Sequence, residues 1–170
     1  MPSPTFLQVA LNGDRIHPAA PRTPTGIAEA ASAAVRAGAH SVHVHAFDQA
    51  GRETLDAAAC AEVLRHIRRV CPHTPVSLTT SATIVADPME RLRVIDGWTV
   101  LPDLVTVNQG EPGIIALCEL LLSRGVALEA GLLTSDDARA FVASGLGERC
   151  RRVLIEPLDD IRAGNPPSNP

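Results

Sequence analysis

The stretch TPTGIAEAASAAVRAGAHSVHVHAFD, residues 23–48, decides the fold. Its first half has a helical period. Ile27, Ala31, Ala34 and Val35 fall on one apolar stripe. Thr23 supplies an N-cap, and Pro24 suits the first helical position because it has no amide hydrogen to leave unpaired. Gly38 closes the helix. The second half, Ser41–Asp48, reads as a strand, with side chains alternating between two faces. Parallel strands need a crossover of this length between them, so helix followed by strand is the signature of a parallel sheet.

The same alternation extends in both directions. Strands are expected near residues 5–12, 41–48, 75–81, 104–108, 126–132 and 152–156. Helices are expected over Leu55–Cys71, Asp87–Ile95, Gly113–Ser123 and Ser135–Ser144, with Asp87 and Ser135 as caps. Two architectures accommodate this pattern. One is an open doubly wound sheet. The other is a (β/α)8 TIM-type barrel, which needs about 250 residues and of which this chain would hold about six of eight units. The expected organisation is one α/β domain over 1–160, with 161–170 as a loop or tail. No GxGxxG or GxxxxGK[ST] follows any strand, so nucleotide-binding versions of either fold lose their main support.

Composition narrows the function. The 170 residues are 45% hydrophobic and 20% charged, enough apolar matter for a core and too much for a disordered chain. Net charge is −4 with both signs intermixed, and no basic stripe is present, so no nucleic-acid partner is expected. No apolar run reaches the ~18 residues of a membrane span, and the first residues lack the pattern of a signal peptide. The expected location is the cytoplasm. Cys60, Cys71, Cys118 and Cys150 are irregularly spaced, with no CxxC, and read as free buried thiols rather than a zinc knuckle.

Parallel βα folds place their chemistry at the C-terminal ends of the strands. Polar residues gather there: Asn12 and Asp14 after the first strand, His43, His45 and Asp48 on the second, Thr79, Thr80 and Ser81 on the third, Thr106 and Asn108 on the fourth, Glu129 on the fifth and Glu156 on the sixth. His43 and His45 are the sharpest feature. Residues two apart on a strand share a face, and two imidazoles on one face can hold one Zn²⁺. Asp48 is a cap for its loop or a carboxylate orienting a histidine. Glu156 is a surface acid or a third metal ligand.

These residues carry a family resemblance. HPAAPRTP (17–24), AGAHSVHVHAFDQAGR (37–52), HIRRVCP (66–72), SLTTS (77–81) and PDLVTVNQGEP (102–112) resemble the β-keto acid cleavage enzymes, the family of the 3-keto-5-aminohexanoate cleavage protein. The resemblance implies a TIM barrel that binds Zn²⁺ and converts a β-keto acid and acetyl-CoA into acetoacetate and a new CoA ester. It implies metal ligands at His43 and His45, substrate contacts at Thr79, Thr106 and Asn108, and acid–base roles at Asp14 and Glu129. A homo-oligomer is also expected. The sequence departs from the pattern in three places. Gly13 is followed by Asp14 and Arg15 where the family has an acid close to the glycine. The fifth-strand acid pair is reduced to Glu129. The family's late G-L-E-D segment, with its zinc-ligand Glu, has no counterpart before Pro170.

Overall fold

The computed structural model describes residues 5–156, so the expected tail at 161–170 lies outside the described residues. Among the described residues, strands and α-helices follow in the order β1 (Gln8–Ala10), α1 (Pro24–Arg36), β2 (Ser41–Val44), β3 (Ala46–Phe47), β4 (Glu53–Thr54), α2 (Ala57–Val70), β5 (Val76–Thr79), α3 (Pro88–Asp96), β6 (Leu104–Asn108), α4 (Ile114–Ser123), β7 (Ala127–Leu132), α5 (Ser135–Ser144) and β8 (Arg152–Ile155). Six strands form one sheet in the order β1-β2-β5-β6-β7-β8, with every neighbouring pair parallel. The order never reverses, as it would in a doubly wound sheet.

The sheet is strongly curled. Five strand-to-strand steps of about 4.8 Å would put β1 and β8 about 24 Å apart in a flat sheet. Arg152 on β8 nevertheless donates a hydrogen bond to Gln8 on β1. Two side chains can span that gap only if the sheet rolls toward closure. Among the described residues, five consecutive βα units and a sixth strand, rolled in this way, make a partial (β/α) barrel.

Each strand divides its side chains between two environments. Val42, Val44, Val76, Leu78, Val105, Val107, Leu128 and Ala130 belong to the buried core beneath the helices. Ile27 and Ala31 of α1, and Cys60, Leu64 and Ile67 of α2, cover that face and are almost fully buried. Burying one such Leu, Ile or Val contributes about 1.5–3 kcal/mol. The alternate residues, among them His43, Thr79, Thr106, Asn108 and Glu129, face the concave interior.

The helix boundaries follow their caps. Thr23 accepts from the Gly26 amide at 3.2 Å, and Asp87 accepts from Glu90 at 2.7 Å. The α5 cap is Thr134, one residue before the expected Ser135. A reciprocal box with Asp137 moves it, because Asp137 also takes the Leu133 and Thr134 amides.

The expected second strand, 41–48, is interrupted. It leaves the main sheet at His45, and Ala46–Phe47 pairs instead with Glu53–Thr54 as a small antiparallel hairpin. Asn12 causes the break. Its side-chain oxygen accepts from the His45 amide at 2.8 Å, and its side-chain nitrogen donates to the His45 carbonyl at 3.1 Å. An asparagine side chain here does what a neighbouring strand would do, just beyond the end of β1.

Candidate active site

A cavity of about 980 Å³ occupies the concave side of the sheet, and every main-sheet strand contributes to its wall. Strand register builds its floor. Thr106 is paired with Glu129, and Glu129 with Arg152, so these three side chains project side by side. Thr106 donates to Glu129 at 2.7 Å, and Arg152 forms an ion pair with the other Glu129 oxygen. Glu129 is 3% exposed, which requires such a partner, because an isolated buried carboxylate is costly. Gln8 lies 3.5 Å from both Glu129 oxygens and accepts from Ser41 at 3.0 Å. A polar belt thus runs around the interior of β1, β2, β6, β7 and β8, where a closed barrel usually packs branched apolar side chains.

His43 and His45 stand above this belt, with ring centroids 5.3 Å apart and ring planes at 77°. Nδ1 of His43 lies 3.0 Å from Ser77 Oγ and 3.3 Å from Thr106 Oγ1. Nδ1 of His45 lies 2.5 Å from Glu53 Oε1. Burial, with the neighbouring His45 and Arg152 charges, pushes His43 down to about 3. It is therefore neutral near pH 7, the form in which imidazole ligates a metal. Both rings line the cavity. Two imidazoles, each anchored through Nδ1, fit two positions of a Zn²⁺ coordination sphere. Among the described residues, no three His, Cys, Asp or Glu side chains are grouped to hold a metal. The pair therefore stands as two ligands, without a third from Glu156 or Asp14.

The far wall carries Thr79 and Asn108. Thr79 accepts from the Ser81 amide at 3.3 Å and is 5% exposed. Asn108 donates to Glu111 at 2.9 Å. Its side-chain oxygen lies only 2.4 Å from where a Cβ on residue 131 would sit, so the site needs Gly131. Glu111 also accepts from the Ala82 amide at 2.9 Å and from Arg91 at 2.6 Å. Arg91, 1% exposed, donates as well to the Pro112 carbonyl at 2.6 Å. This buried pair fastens α3 to the loop after β6 and fixes the mouth on that side.

The remaining acids are distributed unequally. Asp14 is exposed on the rim, and Glu156 is exposed at the end of β8. Asp48 caps its turn, accepting from the Ala50 and Arg52 amides at 2.9 Å each and from the Arg52 side chain. It does not orient a histidine. Glu53 does, and the sequence reading missed it, as it missed Gln8, Arg91, Glu111 and Arg152. The signal for Glu53 was the Asp48–Arg52 turn, which brings position 53 opposite position 47 and its side chain within reach of His45. The others depend on contacts 20 to 144 residues apart.

No curated protein matches the chain. Among solved structures it is similar to a mandelate racemase/muconate lactonizing protein from Herpetosiphon aurantiacus, at 14% identity and TM-score 0.38, covering 92% of this chain and 55% of that one. It is also similar to an L-Ala-D/L-Glu epimerase, at 15% identity and TM-score 0.38, covering 87% of this chain and 56% of the other. The chain thus spans little more than half the length of these structures. The model of one family, described as beta-keto acid cleavage enzyme, matches residues 4–145, most of the chain and all of its cavity strands except β8. The chain belongs to the beta-keto acid cleavage enzyme family.

Proposed function

We propose that the cavity cleaves a β-keto acid with acetyl-CoA as second substrate, giving acetoacetate and a new CoA ester, with Zn²⁺ held by His43 and His45. The convergence of the two anchored imidazoles in a polar cavity carries this reading. Bound there, Zn²⁺ supplies Lewis acidity for a keto oxygen on which negative charge develops. The chain's own residues do the positioning. Thr79 and Asn108 offer a hydroxyl and an amide on one wall, suited to a carboxylate or ketone oxygen. Glu111 and Gly131 hold Asn108 in place, so its orientation is set before substrate arrives. Glu129, paired with Arg152, contributes a fixed negative charge beneath the imidazoles. Asp14, on the solvent side of the rim, is the acid with access to exchange a proton with bulk water.

The test is acetoacetate formation from acetyl-CoA and a panel of short β-keto acids in the presence of Zn²⁺. Slow, zinc-dependent product formation that disappears in His43→Ala is the expected result. No acetoacetate from any member of the panel, or formation unaffected by His43→Ala, contradicts the reading.

A further inference from the structure

Counting hydrogens at the two imidazoles assigns their tautomers. Glu53 Oε1 lies 2.5 Å from Nδ1 of His45, and an ionised carboxylate can only accept. The hydrogen therefore sits on Nδ1. At His43 the argument passes through Thr106. A threonine hydroxyl has one hydrogen, and Thr106 gives it to one oxygen of Glu129, whose other oxygen is paired with Arg152. Toward His43, 3.3 Å away, Thr106 has only a lone pair left, which a hydrogen on Nδ1 of His43 would meet and a bare Nδ1 would oppose. Ser77, 3.0 Å from the same nitrogen, then accepts as well.

Several parts hold Glu53 in place, on a hairpin anchored in the core by Ala46 and Phe47. The β3–β4 hairpin stands outside the main sheet and pairs Phe47 with Glu53. Asp48 caps its turn, and Gly51 takes a φ of 73°, which a side chain at that position would resist. Asn12 clamps the His45 backbone from the other side. Ring and carboxylate are thus fixed independently, with side chains 17% and 16% exposed.

We propose that Glu53 directly, and Glu129 through Thr106, lock His45 and His43 in the Nδ1–H tautomer, so that both Nε2 lone pairs are presented to the cavity. Glu53 and Glu129 are positioning residues. A solvated histidine side chain favours hydrogen on Nε2, so the carboxylates reverse the default at both rings. The locked pair is primed for a divalent cation before one arrives. Partners of this kind typically change metal affinity by 10–100-fold. The inference rests on reading His43 and His45 as the ligand pair, but its first measurement needs no metal, so the two fail separately.

The experiment is a long-range ¹H–¹⁵N correlation spectrum of the metal-free, histidine-labelled 170-residue chain at pH 8, with signals assigned by His43→Gln and His45→Gln. Both rings should show a protonated Nδ1 and a bare Nε2. His40 is an internal control, because its Nδ1 accepts from the Leu7 amide at 3.1 Å and must show the opposite tautomer. Hydrogen on Nε2 of His43 or His45, or an imidazolium at either, overturns the proposal. Glu53→Ala should release His45 alone, and Thr106→Val His43 alone, while Thr106→Ser restores the wild-type pattern. Titration with Zn²⁺ alone should be about 10–100-fold weaker in Glu53→Ala. An unchanged His45 tautomer and zinc affinity in that variant refute the role of Glu53. If Glu53→Ala does not fold, the wild-type spectrum still decides. Nδ1–H on both rings with no uptake of Zn²⁺ upholds this proposal and sinks the zinc reading.

Discussion

Replacing Glu111 by alanine isolates the device that fixes one side of the cavity mouth. Arg91 is 1% exposed, and Glu111 is 14% exposed at the other end of the pair. Removing the carboxylate leaves Arg91 with the Pro112 carbonyl as its remaining partner among the described residues. Stranding one member of a buried pair costs about 3–5 kcal/mol. The partial exposure of Glu111 puts this case near the lower end. The Ala82 amide and Asn108 also lose an acceptor, but both residues are only partly buried and regain water, so they add little. A loss of about 3–4 kcal/mol is a large fraction of the 5–15 kcal/mol typical of a domain. With a urea m-value of about 2 kcal/mol/M, the midpoint should fall by about 1.5–2 M. The assay is urea unfolding followed by far-UV circular dichroism. The double variant Arg91→Met, Glu111→Leu should recover most of the loss, because neither charge is then stranded. A midpoint shift below about 0.5 M for Glu111→Ala, or a double variant less stable than the single one, would refute the argument.

Three further outcomes follow from particular contacts. Gly131→Ala places a Cβ 2.4 Å from the Asn108 side-chain oxygen, so thermal unfolding should show a loss of about 1–3 kcal/mol; an unchanged Tm means Asn108 moves freely. Arg152→Ala leaves the nearly buried Glu129 unpaired and cuts the link from β8 to β1. It should cost about 3–5 kcal/mol, and amide exchange in β1 should speed up; protected β1 amides would contradict the curled-sheet closure. Burial pushes the Cys60 and Cys118 thiols up to about 12, so at pH 8 only about one molecule in 10⁴ carries either thiolate. Both should resist iodoacetamide in the native chain by mass spectrometry and react on unfolding. Labelling within minutes before unfolding would show that these sites open.

Much of the architecture was legible because it is written in local periodicity. Thr23-Pro24 and Asp87 cap where the sequence places caps, and the alternation of Leu104–Asn108 puts Thr106 and Asn108 on the concave face. Cross-chain chemistry was not legible. SVHVHA alternates without a fault, yet the strand breaks at His45, because the cause is a side-chain amide at position 12. Arg152 in RVLIE looks like any polar residue opening a strand, and only the curl of the sheet brings it to Gln8. Asp48 and Glu53 are five residues apart and equally plausible partners for an imidazole. Hairpin geometry turns the first onto its own loop and the second onto His45.

Zinc stoichiometry tests the central claim most directly. The 170-residue chain, stripped of metal and dialysed against a buffered Zn²⁺ solution, should retain about one ion per molecule by elemental analysis. His43→Ala and His45→Ala should each remove most of it while remaining folded by circular dichroism. Zinc retained equally by the wild type and both folded variants would mean that the two histidines are not the metal site.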